Sequence, residues 1–212
     1  MTAPGDAERP LPPRAVRFRF ARRFLLVALA ADLVLIAIWL ALLGPEGSRD
    51  MPRPFRIEVD GSLGEIGNYL KYVVAGVLLW RAGPGHRGIA LVFAILLLDD
   101  AGNLHERLGD AIGDVLGVSD DIGELGGFAL LGLPVLMLLA RGWMRSDAAG
   151  RAGIAGIAVI LAALTVCGIG ADLAASFFGG AARLALILVE EGGEMIFTSL
   201  LAAQALGLRS RG

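Results

Sequence analysis

The stretch FLLVALAADLVLIAIWLALL, residues 24–43, is twenty residues long and holds one charge, Asp32. About 20 consecutive apolar residues are what an α-helix needs to cross the hydrocarbon core of a bilayer. A surface helix of a water-soluble domain would carry a polar face, and none is visible here. The same texture returns downstream at Leu63 to Trp80, Gly88 to about Leu104 with helix continuing to Leu108, Ile122 to Ala140, Gly153 to about Asp172, and Ala181 to Leu206. Polar segments separate the runs: residues 44–62 with Pro45, Pro52 and Pro54, a tight turn at 81–87, an acidic loop at 109–121 and a basic loop at 141–152. The expected fold is all-α, a polytopic membrane helix bundle of about six transmembrane helices.

Composition agrees. Of 212 residues 56% are hydrophobic, mean hydropathy is +0.68 and only 19% are charged, whereas soluble domains carry about a quarter charged residues. The 30 glycines suit close helix approach in lipid. The single cysteine, Cys167, excludes an internal disulfide and a multi-cysteine metal site. Residues 1–23 form a basic segment expected to be cytoplasmic and disordered, 24–206 a single transmembrane bundle, and 207–212 a short cytoplasmic tail. A basic stretch before an apolar core resembles a signal peptide. The apolar run continues past any cleavage point, so it reads as an uncleaved anchor.

Thirteen of the eighteen arginines fall in 1–23, 81–87, 141–152 and 207–212, while three of the 21 acids do. Positive charge in short loops marks the cytoplasmic side, which puts both termini inside. One lysine against eighteen arginines is the bias of a GC-rich bacterial genome, so the expected location is a bacterial inner membrane. The lipid bilayer is the expected surrounding, no nucleic acid is expected as a partner, and a homo-oligomer or a partner membrane protein is compatible with the sequence.

The chemistry lies in acids within the apolar runs. The third run ends Leu98-Asp99-Asp100-Ala101-Gly102-Asn103-Leu104-His105-Glu106, and the sixth contains Glu190-Glu191-Gly192-Gly193-Glu194. On a continuous helix Asp99, Asn103 and Glu106 share a face, with His105 on another. At 1.5 Å per residue, Asp99 lies roughly 16 Å from the inner end of its helix, Glu190 roughly 13 Å from the outer end of its own, and Lys71 enters by roughly 12 Å. Antiparallel helices bring these groups to similar depth. Glu65, Glu124 and Asp172 stand above them as an outer entrance. A charge at the bilayer centre costs at least ~2.5–3.5 kcal/mol, so Asp99, Asp100, Glu190, Glu191 and Glu194 must face one another, bind a cation, pair with Lys71 or stay protonated. Glu190 and Glu194 are the favoured partners of Lys71. Oxygen-rich ligands such as Asp99, Glu106, Glu190 and Glu194 favour Mg²⁺, Ca²⁺ or Mn²⁺. The intervals Asp32 to Asp99 and Glu124 to Glu190 are compatible with a 3+3 inverted repeat, a transporter arrangement. Trp39, Trp80 and Trp143 read as interface anchors.

The segment His105-Glu106-Arg107-Leu108-Gly109 lacks the second histidine of a metalloprotease helix, and no P-loop, dinucleotide fingerprint or nucleophile elbow is present. Asp99, Asp100, Leu104, His105 and Glu106, with Glu190, Glu191 and Glu194 in the final helix, resemble a loose group of uncharacterised bacterial multi-pass membrane proteins that carry an acidic pair and then Leu-His-Glu in one helix. That resemblance spans two helices and implies no activity.

The leading expectation is an intramembrane carboxylate site open to the extracytoplasmic side that binds a cation or protons for transport. Asp99, Asp100, Asn103, Glu106, Glu190, Glu191 and Glu194 would be its ligands, Lys71 a counter-charge and His105 a proton shuttle. The alternatives are a metal-dependent hydrolase or transferase acting on a lipid-borne substrate and a non-catalytic membrane partner subunit. Enzyme activity is the less favoured reading.

Overall fold

A computed structural model describes residues 14–44, 47–175 and 177–208. The expected terminal segments fall largely outside these, as do the side chains of Asp172 and Asp121. The described residues form seven α-helices and no strand: α1 (Arg14–Leu42), α2 (Leu63–Arg81), α3 (Arg87–Gly102), α4 (Leu104–Leu116), α5 (Asp120–Arg145), α6 (Ala148–Ala175) and α7 (Gly180–Leu208). Three stretches are long and apolar enough to cross a membrane, Arg19–Leu42, Ile122–Arg145 and Ala148–Ala175. α3 and α4 supply a fourth if the bent pair is counted as one span. Helices α2 and α7 carry several polar residues inside the bundle: Asn68, Lys71, Thr198 and Ser199 are all buried. The outside is apolar instead, with Val27 71% and Val166 70% exposed, as suits a membrane protein whose solvent is lipid.

The main core lies where α2, α3, α5, α6 and α7 meet, around Tyr72, Leu79, Phe93, Ile157 and Leu201. α7 packs closely on α6, α1 and α2. Trp39, expected at the interface, is instead buried with Met51, Ile57 and Met195 in a second cluster under the 44–62 connection. Its indole N–H donates to Glu58 at 3.1 Å. Trp80 and Trp143 are exposed, and Arg87 sits 5.2 Å over the Trp80 ring.

The third run departs from the expected single helix to Leu108. Asn103 takes φ 46°, ψ 48°, ending α3 and starting α4 with a 70° bend. Asn is among the few residues that visit this left-handed region. Most of the acidic loop 109–121 is therefore helix α4, closed at Gly117 (φ 66°) by the Gly117 and Val118 N–H groups on the Gly113 carbonyl at 2.8 and 3.2 Å. α4 docks on α5 backbone to backbone. A Cβ at Gly109 would lie 2.6 Å from Glu124 Cα, one at Gly123 would run into the Gly109 carbonyl, and one at Gly127 into the His105 carbonyl. α2 begins at Ser62, whose Oγ accepts from the Glu65 N–H at 3.2 Å, while the Glu65 carboxylate takes the Gly61 N–H. This is reciprocal capping of a helix start.

Candidate functional site

The bend at Asn103 builds the site. It turns α4 so that its N-terminus meets the end of α3, and Asp99 Oδ1 accepts the His105 backbone N–H at 2.9 Å. A carboxylate there satisfies an orphan helix donor. The same Oδ1 lies 2.8 Å from His105 Nδ1, so a proton on Nδ1 is the tautomer this contact favours. The straight-helix expectation put His105 on a different face from Asp99; the bend brings the two together. The imidazole stacks on Phe128 at 4.1 Å between centroids, and Nε2 lies 3.6 Å from Glu124 Oε1. An imidazole held between two carboxylates is an arrangement that can pass a proton from one side to the other.

Around this pair the acids gather. A cavity of ≈ 610 Å³ is lined by Asp99, Asp100, His105, Glu106, Glu124, Glu190 and Glu194, with Arg183 and Phe128. A smaller one of ≈ 140 Å³ is lined by Glu58, Asp60, Glu65, Asn68, Asp100, Asn103, Glu106, Glu191 and Glu194. Asp100, His105, Glu106 and Glu194 line both. Helices α2, α3, α4, α5 and α7 thus each contribute. Glu190 reaches only the larger cavity, while Glu191, Glu65 and Asn103 reach only the smaller. Asn103 Nδ2 lies 3.4 Å from Glu106 Oε2. The Tyr69 hydroxyl lies on the Glu65 carboxylate and 3.2 Å from the Asp100 carbonyl oxygen. Among the described residues no group of three or more His, Cys, Asp or Glu is disposed to hold a metal ion, so Asp99, Glu106, Glu190 and Glu194 share walls without forming a ready coordination shell.

Lys71 does not pair with Glu190 or Glu194. Its ammonium donates to Asp32 Oδ1 at 2.7 Å, to Asn68 Oδ1 at 3.0 Å and to the Met195 carbonyl at 3.0 Å. Ser199 Oγ donates to Asp32 Oδ2 at 2.5 Å. All three donors of the ammonium are used, and α1, α2 and α7 are tied at one point. The positive charge is spent on Asp32, which leaves the α3 and α7 acids without an internal lysine. Sequence reasoning missed Asp32 as this partner. The available signal was a lone acid and a lone lysine in adjacent apolar runs, each of which needs a partner at depth. Phe128, Ser199 and Tyr69 gave no comparable signal.

Over the smaller cavity the 44–62 connection is held by Glu58, which accepts from Ser48, from Trp39 Nε1 at 3.1 Å and from Arg56 Nε at 3.1 Å. Burial pushes this carboxyl up, and the hydrogen bonds from Ser48, Arg56 and Trp39 together with a backbone one outweigh it, leaving the pKa below its ordinary 4.5.

No curated protein and no solved structure matches the chain. Residues 26–206 match a family described as Domain of unknown function (DUF8692). That span covers most of the chain and every described site residue, and the chain belongs to the DUF8692 family.

Proposed function

We propose that this protein is a six-span membrane protein with both termini cytoplasmic, and that its carboxylate chamber binds protons or a cation from the extracytoplasmic side for transport. The observation that carries the reading is the ≈ 610 Å³ cavity with acids from α3, α4, α5 and α7 in its wall. Lipid-facing carboxylates at this depth are costly, so a chamber of them needs compensating positive charge. Lys71 is committed to Asp32, Arg183 stands in the wall of the larger cavity, and bound cations or protons supply what these leave. The Asp99–His105–Glu124 line favours protons, because an imidazole flanked by two carboxylates relays them in either direction. Asp100 and Glu194, which line both cavities, would be the central sites, with Glu65 and Glu124 towards the entrance.

The test is flux. The protein is reconstituted into liposomes with an entrapped pH dye, and a proton gradient is imposed with and without Mg²⁺, Ca²⁺ or Mn²⁺. Flux in the wild type that falls at least tenfold in Asp99→Asn and Glu194→Gln supports the reading. Absence of flux in the wild type under every condition, or equal flux in both variants, overturns it. The same dyad beside a cavity of ligand size favours, as a second reading, a hydrolase or transferase that uses His105 as general acid–base on a lipid-borne substrate. Product formation in detergent without a gradient would distinguish it.

A further inference from the structure

The chamber continues into an apolar compartment that a small ion does not need. Between α3, α5 and α6 lies a cavity of ≈ 340 Å³ walled by Ile95, Leu96, Leu131, Val135, Leu139 and Leu161. At one end its lining turns to Asp99, Asp100 and Glu194, the residues that also line the large polar cavity. Phe128 and Gly168 are common to both as well. Glu194 is the pivot. Its carboxylate makes no hydrogen bond or ion pair among the described residues, and the residue is only partly exposed. Gly168 leaves its carboxylate room, since a Cβ there would lie 2.9 Å from Glu194 Oε1. A partly enclosed carboxylate with no donor is an unmet demand, and here it lines both a polar and an apolar space.

We infer that the ligand of this chamber is a single-chain amphiphile with a primary or secondary ammonium head. The N–H donors of the head are received by Glu194 with Asp99 and Asp100 beside it, and the tail lies in the compartment between α3, α5 and α6. The inference rests on the carboxylate chamber's being a cation site, and it names the class of cation. Charge selects the head: three carboxylates attract an ammonium and repel an anionic lipid. Arg183, which lines the outer part of the polar cavity, is eleven residues from Glu194 along α7, roughly 16 Å at helical rise, too far to satisfy it. Volume selects the tail. A space of ≈ 340 Å³ is at the small end of ligand pockets, enough for one short chain and not for the paired chains of a phospholipid. An ion without a tail would leave this space to no purpose.

The experiment is equilibrium binding of radiolabelled decylamine to the full chain in phosphatidylcholine nanodiscs, with empty nanodiscs subtracted. The competitors are methylamine (head without tail) and decyl sulfate (tail with the opposite head). Two variants are compared. Glu194→Gln removes the head ligand. Gly132→Leu fills the tail space, because Gly132 lines that cavity and a Cβ there meets nothing within 4 Å. The expected result is saturation near one decylamine per chain, competition by neither control, and a Kd at least tenfold weaker in each variant. Should Glu194→Gln fail to fold, Gly132→Leu decides alone. Uptake equal to empty nanodiscs, competition by methylamine at decylamine concentrations, or an unchanged Kd in Gly132→Leu overturns the inference. If that happens while proton or metal-ion flux persists in liposomes, the carboxylate-site reading stands and only the amphiphile is lost; if flux is also absent, both fall.

Discussion

Lys71 Nζ and Asp32 Oδ1 lie 2.7 Å apart with both side chains almost wholly buried, and the pair joins the first helix of the bundle to the second. Through the Met195 carbonyl and Ser199 it reaches α7 as well. A buried ion pair is weak evidence of net stabilisation, but losing one partner strands the other charge.

Lys71→Met should therefore destabilise the bundle by about 3–5 kcal/mol. Adding Asp32→Asn should restore a large part of that, because the stranded carboxylate is gone. Reversible unfolding of the two singles and the double in mixed micelles measures the coupling. Additive losses would mean the two residues do not share one interaction.

The α4–α5 contact depends on missing side chains. Gly127→Ala pushes a methyl into the His105 carbonyl and should cost roughly 1–3 kcal/mol, the usual cost of overpacking. It should also release α4 to protease. Gly132→Ala on the same helix meets open space and should be neutral or stabilising by about 0.5–1 kcal/mol from helix propensity. Equal melting shifts in the two variants would contradict this account.

Asn103 holds left-handed backbone at the bend. Asn103→Gly should be tolerated, while Asn103→Val should cost on the order of 1–2 kcal/mol and part His105 from Asp99. The readout is the His105 imidazole by NMR, whose chemical shifts should move in the valine variant and hold in the glycine one.

Glu58 supplies a pH test outside the spans. Its folded pKa is below the ordinary 4.5, so the folded state holds the ionised form more strongly than the unfolded chain does. Its contribution is fully present above the unfolded pKa and is lost as pH falls through the folded one. Glu58→Gln should thus lie below wild type in Tm at neutral pH, and the gap should close as pH is lowered from about 4.5. A gap that stays constant down to pH 3 would remove the ionised Glu58 network as the cause.

Topology is tested by single cysteines in a Cys167→Ala background. Arg53→Cys and Gly85→Cys both occupy exposed positions. An impermeant maleimide added to intact cells should label the first and spare the second, as follows from the arginine bias. The reverse pattern would invert the orientation.

What the sequence by itself determined was the class of fold and the residues that had to be answered for. Runs such as 24–43 are long and apolar enough to cross a membrane, and an acid or a lysine within one demands a partner whatever the packing. What it did not determine was which partner. Asp32, Glu190 and Glu194 are all plausible for Lys71 by depth alone, because depth is a one-dimensional coordinate along the membrane normal. The choice of Asp32 follows from which helices are neighbours and how each is rotated, and those depend on contacts between segments far apart in the chain. The break at Asn103 is the same kind of decision. Periodicity runs smoothly from Leu98 to Leu108, and only the docking of Gly109 against Gly123 and Glu124, with Asp99 taking the freed N–H of His105, makes a 70° turn there more favourable than a straight helix. The Asp99–His105 pair exists because of that turn: tertiary packing, not local preference, set the left-handed backbone at Asn103, a residue type able to accept it.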